Sequence, residues 1–423
     1  MVARRLPGMP EHDEVHPEEW QFDETVLRAA SAFALCEEAR YNDGLSSGQR
    51  VEKLMEAQGV IMATVGPRFR VTFRDLLNRL SGDQAGSLVG IFPDEALAGP
   101  LRNLRFLDSV GVSTQEGCDL LWEAAEIFKI VDKKQRRGER FTHFELESEF
   151  GQEQVFKAIK GGLYERHRRN IIEYPVCDKE QLEELGFPPA VAQVFYQDIP
   201  SYCLYKRQWW FGCPACAYPM QVIPHDDGRT YAVRCLYPWH QDTGARFSFT
   251  ATRDQVPVLH AEDRIYIPSK AEMPLYTGAS RETPKARPAE GYRALVRRVW
   301  RSTCIPGLPE LRLADVLTEA AAGTRLTVEI WPDNDRVDIE VKDGDTVVFS
   351  IDVKDYTWPG TLAKKLIEDR GDKGGATWLV VPDHRRQQVG YLTSVIHRER
   401  IGMTVMAASD FLALFTDRLK EYM

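Results

Sequence analysis

The chain has 423 residues, a formal net charge of −9 and a sequence isoelectric point of about 5.6. This length exceeds a single ordinary hydrophobic core, so we expect about two to four domains. The acidic balance excludes a protein that coats DNA over its whole surface. Because salt screens charges beyond about 8–10 Å, a local basic groove remains compatible with it. No apolar run reaches the roughly 18 residues of a membrane span, and no apolar signal-peptide core follows the first arginines. We therefore expect a cytoplasmic protein without a membrane partner.

The sequence pattern changes three times along the chain. Residues 1–200 carry apolar residues at three- and four-residue spacing, which is typical of helices. Residues 201–262 are rich in aromatic residues, prolines and cysteines, and residues 263–310 read as a linker followed by a basic helix. Residues 311–423 predict the order α-β-β-β-α-β-α-β-α. These patterns predict a multidomain α+β protein with a helical N-terminal domain, a central zinc ribbon and a C-terminal α/β domain built on a mixed sheet.

Three of the eight cysteines are clustered in the central region. Cys213 and Cys216 form a C-x-x-C pair, and a second pair, Cys235 and His240, follows in the segment RCLYPWH. Two ligands on each of two tight turns suit tetrahedral Zn²⁺, and a site closed by four protein ligands has a structural role. The sequence therefore predicts a structural zinc site.

The surroundings of this predicted zinc site leave two questions open. His225 or Cys203 could replace His240 as the fourth ligand. The residues between the two ligand pairs predict a hairpin with a turn near HDDG. Trp209 and Trp210 beside the first pair either form part of the core or stack on exposed bases, and we favour the core.

A basic segment precedes the C-terminal domain. Between residues 281 and 301 there are seven Lys or Arg and two Glu, a local charge of 7 − 2 = +5. The segment GYRALVRRVWRS predicts an amphipathic helix whose arginine face is either solvated or in contact with phosphates. The candidate nucleic-acid-binding residues are Arg293, Arg297, Arg298 and Arg301.

The segment VVFSIDVKDY, residues 347–356, predicts a strand that ends in Asp352-Val353-Lys354. Alternate residues of a strand share one face, so the side chains of Asp352 and Lys354 point the same way. The preceding strand, RVDIEVK, carries Asp338 on the matching polar face if the apolar residues of both strands share one core.

The loop between these two strands decides whether the polar residues meet. A three-residue loop, 343–345, gives the required register, sets Asp338 opposite Ser350 and makes Asp352 its diagonal neighbour. A two-residue turn would send the polar residues to opposite faces unless a bulge corrected the register.

Two carboxylates and a lysine on one face suit the hydrolysis of phosphodiesters. Asp338 and Asp352 could bind Mg²⁺ or Mn²⁺, which activates water and stabilises the developing charge. Lys354 could position or deprotonate that water, or neutralise the phosphorus centre. Glu319, on the preceding helix, is the first choice for a third carboxylate, with Glu329 and Glu340 as alternatives.

The spacing of Asp338, Asp352 and Lys354 resembles the D-x(n)-(D/E)-x-K motif of restriction-endonuclease-like nucleases, and the predicted element order matches their core. This resemblance implies that the two aspartates are magnesium ligands and that Lys354 is the catalytic lysine. Gln387 and Tyr391 resemble the Q-x-x-x-Y motif of the RecB-like branch.

From about residue 200 to residue 423 the chain is similar to restriction-endonuclease-fold proteins encoded beside a PIWI/Argonaute-like protein and a helicase in prokaryotic defence loci. The likeness rests on YKRQWWFGCPAC, the second cysteine turn and VRRVWRSTCIPGLPELRL. It implies a metal-dependent nuclease subunit that acts on DNA, with RNA or a hybrid as other substrates, and that has those two proteins as partners. The alternative is a catalytically inactive nucleic-acid-binding or assembly subunit.

Overall fold

The computed structural model describes most of the chain from residue 24 to residue 422. The residues in this range that it does not describe are 43, 67–69, 93–96, 98–101, 115, 118, 120–154, 226, 253–254, 263–265 and 372–373. Among the described helices, none is long and apolar enough to cross a membrane.

Residues 24–77 are mainly helical, whereas the described residues from 78 to 114 form turns and isolated bridges in place of the predicted helices. Helices α1 (Glu24–Tyr41) and α2 (Ser47–Val65) pack against each other and precede the short helix α3 (Phe73–Leu77). Their apolar faces form a core in which the ring of Phe33 stacks on Phe106 at 5.5 Å between centroids. Local hydrophobic periodicity therefore predicts the helices but not the non-helical segment that completes their core.

The helical prediction fails after residue 174, where a three-stranded sheet appears. Strands β1 (Val176–Asp178) and β2 (Tyr196–Asp198) both pair with a distant strand, Tyr292–Leu295, which lies between them. The helices of this region are α4 (Tyr164–Glu173), α5 (Lys179–Glu184) and α6 (Pro189–Val194).

This pairing also corrects the predicted basic helix. The first half of GYRALVRRVWRS is a strand because β1 and β2 supply antiparallel backbone partners on both of its sides. Helical structure begins only at Arg297–Val299 and continues through a π-helical turn, Trp300–Cys304.

The central region forms an antiparallel sheet of four strands, in sequence order. Its strands are β4 (Gln221–Pro224), β5 (Thr230–Arg234), β6 (Arg246–Thr250) and β7 (His260–Ala261). The hairpin between β4 and β5 has its turn at the predicted HDDG segment. A separate antiparallel pair joins β3 (Trp209–Trp210) to β8 (Arg287–Pro288). The strand Tyr292–Leu295 described above is β9. Trp210 is fully buried, in agreement with a core role.

The C-terminal region contains a mixed five-stranded sheet, as predicted. Its order is β10-β11-β12-β13-β14, and the last two pairings are parallel. The strands are β10 (Leu326–Ile330), β11 (Ile339–Asp343), β12 (Thr346–Val353), β13 (Trp378–Val381) and β14 (Thr404–Ala407).

Helices cover both faces of this sheet. One core joins β11 and β12 to two helices and the other joins β13 and β14 to two more. In chain order, short α7 (Pro238–Asp242) of the central region is followed by α8 (Ile305–Ala321), α9 (Pro359–Glu368), α10 (Val389–Glu399) and α11 (Ala408–Arg418). The 3₁₀ turns are Ser201–Cys203, Met273–Leu275, Asp383–Gln388 and Leu419–Glu421.

The register between β11 and β12 differs from the predicted one. Asp343 pairs with Thr346, so the connecting loop has two residues, and the pairing then shifts by one residue beyond Lys342. This irregularity is the bulge that a two-residue turn requires if apolar residues are to face apolar residues. It sets Glu340, not Asp338, opposite Ser350.

Phe349 on β12 lies at the centre of the C-terminal core, against Trp378, Phe411 and Phe415. We expect Phe349→Ala to lower the free energy of unfolding by about 3–5 kcal/mol, because it leaves a cavity that these rings cannot close. The control is Val347→Ala on the same strand, where the side chain is 43% exposed and the loss should be about 0.5 kcal/mol or less. Urea denaturation measures both, and equal losses would contradict this description of the core.

Candidate functional site

The predicted carboxylate–lysine cluster is assembled where β11 begins and β12 ends. One further step of the observed register, which pairs Ile339 with Ile351, places Asp338 opposite Asp352. The Lys354 Nζ atom lies 2.7 Å from Asp352 Oδ1 and 3.2 Å from Asp338 Oδ2. The structure therefore brings Asp338, Asp352 and Lys354 together, with direct pairing in place of the predicted diagonal.

Burial and mutual charge control the protonation of this cluster. Asp338 accepts the Val353 N–H at 2.6 Å. Burial nevertheless raises the pKa of Asp338 above its ordinary value, Lys354 opposes this, and Asp352 adds to it. Burial disfavours the Lys354 ammonium, but the two aspartates raise the pKa of Lys354 well above its ordinary value. The two aspartates therefore favour the charged form of Lys354.

A further carboxylate, Glu310 on α8, lies beside this cluster and was missed by the sequence reasoning. It is 3% exposed, and its Oε2 atom accepts hydrogen bonds of 2.7 Å from Arg168 and from the Trp331 indole. Burial raises the pKa of Glu310 to about 8, Arg168 opposes the rise, and Asp338 contributes to it. An acidic residue within the apolar stretch IPGLPELRL was the available signal, since charges rarely occupy a buried helix face without a partner.

The charges around Glu310 do not balance. Arg168 also pairs with Asp335, and its guanidinium lies over the Trp331 ring. The carboxylates of Glu310, Asp335, Asp338 and Asp352 count −4 and the cations Arg168 and Lys354 count +2, so the fully ionised group carries −4 + 2 = −2. A buried negative excess of this size favours either proton uptake or a divalent cation.

The other predicted carboxylates lie elsewhere. Glu319 is exposed and lines a separate depression with Glu329, further along α8 than Glu310. Glu329 pairs with Lys342. Glu340 is buried but is neutralised by Arg336 and Lys342. The prediction of Glu319 as a third carboxylate of the site is therefore not supported, because this residue lies on the exposed side of its helix.

The predicted Q-x-x-x-Y motif is displaced by one residue. Gln387 is exposed, whereas Gln388 is 4% exposed and donates to the backbone carbonyl of Tyr356 at 2.9 Å. Tyr391 is half-buried among the apolar residues around α9 and α10. The 3₁₀ turn Asp383–Gln388 decides which glutamine faces inward, and local sequence does not reveal that rotation.

The four predicted zinc ligands form a compact, buried Cys₃His cluster. The distances are 3.8 Å from Cys213 Sγ to His240 Nδ1, 3.5 Å from Cys235 Sγ to the same atom and 4.0 Å from Cys216 Sγ to Cys235 Sγ. A tetrahedral ion with Zn–S and Zn–N bonds of ordinary length requires edges of about 3.6–3.8 Å. The cluster could therefore hold a metal ion such as zinc.

The two alternative fourth ligands do not belong to this cluster. Cys203 is buried but directs its thiol toward the Pro219 carbonyl at 3.5 Å. His225 is exposed at the end of β4. The donor atoms of Cys213, Cys216, Cys235 and His240 all lie within 4.8 Å of one another, and no other group of three or more potential ligands among the described residues meets this criterion.

Three of the four predicted nucleic-acid-binding arginines, Arg297, Arg298 and Arg301, are at least partly buried, whereas Arg293 is exposed. Arg297 pairs with Glu37 of α1 at 3.2 Å. Arg301 is buried and pairs with Asp119 at 2.5 Å. The remaining two are Arg293, on β9, which pairs with Asp198 of β2, and Arg298, which also has interactions of its own. Arg297 and Arg301 thus connect Glu37 and Asp119 to the segment that precedes α8, so these two residues do not form part of an open arginine face.

A buried polar network follows Lys354 along the chain. Asp355 is 6% exposed and contacts Tyr237 at 2.5 Å, Arg385 at 2.9 Å and His384 at 3.3 Å. Burial opposes its ionisation, but His384 and Arg385 hold the pKa of Asp355 well below its ordinary value. Tyr237 comes from the second cysteine turn, so the network joins the Cys₃His cluster to the carboxylate–lysine cluster.

The fold and these clusters define a protein with a mixed sheet that carries an acidic site with one lysine, together with a separate Cys₃His cluster that could hold a metal ion. Comparison with protein families adds that residues 307–422 match the family described as "REase associating with pPIWI_RE". The resemblance predicted from the sequence is confirmed for this segment, and it indicates a nuclease-like role linked to a pPIWI system. The central sheet and the cysteines lie before the matched segment. No curated protein and no solved structure matched the chain.

We expect the purified protein to carry about one tightly bound metal ion per chain in the Cys₃His cluster. Cys235→Ala should lose this ion, because three remaining ligands hold it weakly. Cys203→Ala should keep it, because that thiol, although buried nearby, points elsewhere. Elemental analysis of the wild-type protein, Cys235→Ala and Cys203→Ala measures the metal content. Retention of the ion by Cys235→Ala would show that the ligand set is wrong.

Proposed function

We propose that the chain is a metal-dependent nuclease that hydrolyses DNA phosphodiester bonds as a subunit of a prokaryotic defence system containing a PIWI/Argonaute-like protein. The observation that carries this proposal is the convergence of Asp338, Asp352 and Lys354 at one end of the C-terminal sheet. The family match of residues 307–422 supports it.

The residues present fit a divalent cation. Asp352 Oδ2 is buried and has no hydrogen-bond partner among the described residues, so one carboxylate oxygen is available as a ligand. The carboxylates around the site outnumber the cations Arg168 and Lys354, so the surroundings favour a bound cation. Two protein carboxylates leave the other coordination positions to water and to substrate phosphate, which is the usual arrangement for magnesium.

Each residue of the site has a separate task in this proposal. Asp338 and Asp352 hold the metal ion, which when bound lowers the pKa of water and stabilises negative charge on phosphate. Lys354, as a charged group held by both aspartates, would orient the attacking water or contact the phosphate oxygens. Asp338 keeps its geometry through the Val353 N–H. The Cys₃His cluster holds Zn²⁺ in a structural role.

A catalytically inactive assembly or nucleic-acid-binding subunit is the second candidate. It is favoured by the closure of the site: Asp338 and Asp352 are 5% and 6% exposed, and Lys354 lies against both. Little of either carboxylate surface is open to a substrate phosphate in this conformation. If the protein cleaves DNA only when a partner protein is present, it is a dormant nuclease. If it does not cleave even then, it is inactive.

Cleavage of plasmid and single-stranded DNA tests the proposed activity. Wild-type protein should cut in the presence of Mg²⁺ or Mn²⁺, and Asp352→Asn should be slower by at least about 100-fold, because it removes a metal ligand without a change of shape. Asp345→Asn is the control, since this aspartate is exposed in the turn of the same hairpin.

If wild-type protein is silent, the assay is repeated with the PIWI-like and helicase proteins present. Silence in that mixture would refute catalysis and support the assembly role. Undiminished cutting by Asp352→Asn would place the active site elsewhere.

Metal binding can be tested without cleavage. A ligand that binds only the folded state raises the thermal midpoint, so Mn²⁺ or Ca²⁺ should stabilise wild-type protein and the Asp345→Asn control. Asp352→Asn should lose this stabilisation. Because burial raises the pKa of Asp338 and protons compete with the metal, the effect should weaken as pH falls. Differential scanning fluorimetry from pH 8 to about pH 5 measures it, and equal stabilisation of Asp352→Asn would exclude this metal site.

A further inference from the structure

We propose that Tyr237 and Asp355 are positioning residues that couple the Cys₃His cluster to Lys354. The cluster then belongs to the nuclease apparatus and is not only a staple of the central sheet. The catalytic meaning of this inference rests on the proposed nuclease function, whereas the mechanical coupling itself does not.

Tyr237 is fixed by the ligands on either side of it. It lies between Cys235 and His240, and its backbone N–H points to Cys235 Sγ at 3.4 Å. Its ring meets the His240 ring edge to face, with centroids 5.0 Å apart. Because a bound metal fixes both neighbours, it also fixes the direction of the Tyr237 side chain.

The hydroxyl of Tyr237 holds the residue that follows Lys354. It donates to Asp355 Oδ2 at 2.5 Å, and Arg385 donates to both Asp355 Oδ1 and Tyr237 Oη, at 2.9 and 3.2 Å. Tyr237 and Asp355 are buried, and Arg385 is largely buried. A buried charge that loses one of its donors must move or recruit another group.

Displacement of Asp355 is transmitted directly to the site. One peptide bond separates it from Lys354, whose backbone N–H donates to Val380 of β13 at 2.9 Å. The Lys354 ammonium reaches both metal-binding aspartates from this position. A misplacement of about 1 Å in a catalytic group can reduce a rate by about 100-fold.

The chain contains a matched control for this coupling. Tyr218 follows Cys216 by two residues, as Tyr237 follows Cys235, and both tyrosines are almost fully buried. The Tyr218 hydroxyl donates to the Leu295 carbonyl at 3.0 Å, on the side of the sheet formed by β1, β9 and β2. Tyr218→Phe therefore removes an equivalent hydroxyl that has no link to Asp355.

The test compares Tyr237→Phe with Tyr218→Phe in the full-length, metal-loaded protein. Hydrogen exchange of peptides covering residues 350–358 should be faster in Tyr237→Phe and unchanged in Tyr218→Phe, while elemental analysis shows the same metal content in both. With DNA as substrate, Tyr237→Phe should lower kcat by about 10- to 100-fold at an unchanged KM. Tyr218→Phe should leave both constants within about twofold of wild type.

Asp355→Asn provides a second variant in case Tyr237→Phe fails to fold. It should also show faster local exchange, and the double variant should be no worse than Asp355→Asn alone, because Asp355 accepts the Tyr237 hydroxyl and its substitution also weakens the contacts with Arg385 and His384. Equal exchange in Tyr237→Phe and Tyr218→Phe would overturn the coupling even if wild-type protein is an active nuclease. Faster exchange in a protein that never cleaves DNA would confirm the coupling and refute the nuclease function instead.

Discussion

The organisation of this protein depends on buried charge at one end of the C-terminal sheet. Asp338 and Asp352 face each other across β11 and β12, with Lys354 against both. Such a group is costly to desolvate unless each charge has a partner. The three groups satisfy one another, and the buried acidic residues beside them, Glu310 and Asp355, take partners from distant parts of the chain.

Two of these partners lie outside the segment that matches the REase family. Arg168 of α4 pairs with Glu310, and Tyr237 of the second cysteine turn contacts Asp355. Arg301 and Thr357 add a third connection through Asp119. The matched segment, residues 307–422, therefore shares its buried polar groups with both preceding regions. We expect it to lose these partners when it is expressed alone.

The arginine-rich segment shows how a charge pattern can mislead. Its local charge of +5 is typical of a phosphate-binding surface, yet Arg297 and Arg301 pair with Glu37 and Asp119. An acidic protein contains many carboxylates that can neutralise a basic segment internally. Composition gives the number of charges, and only the fold shows which of them face solvent.

The sequence by itself determined the local features: the strands of the C-terminal sheet, the paired cysteine turns and the shared face of Asp352 and Lys354. Each follows from a short-range regularity, either the period of two in a strand or the spacing of ligands on a tight turn. The apolar alternation also required Asp338 to share that face, whichever loop achieved it.

The tertiary structure decided the rest. It selected a two-residue turn with a bulge in place of the predicted three-residue loop. The sequence could not distinguish them, because both keep the same alternation of apolar and polar residues. It placed Glu310 at the site and Glu319 in solvent, because the packing of α8 selects which of its turns meets the end of the sheet. The contacts Arg168–Glu310 and Tyr237–Asp355 join residues 142 and 118 positions apart. No local periodicity relates residues at such distances, since their meeting depends on how whole elements pack against one another.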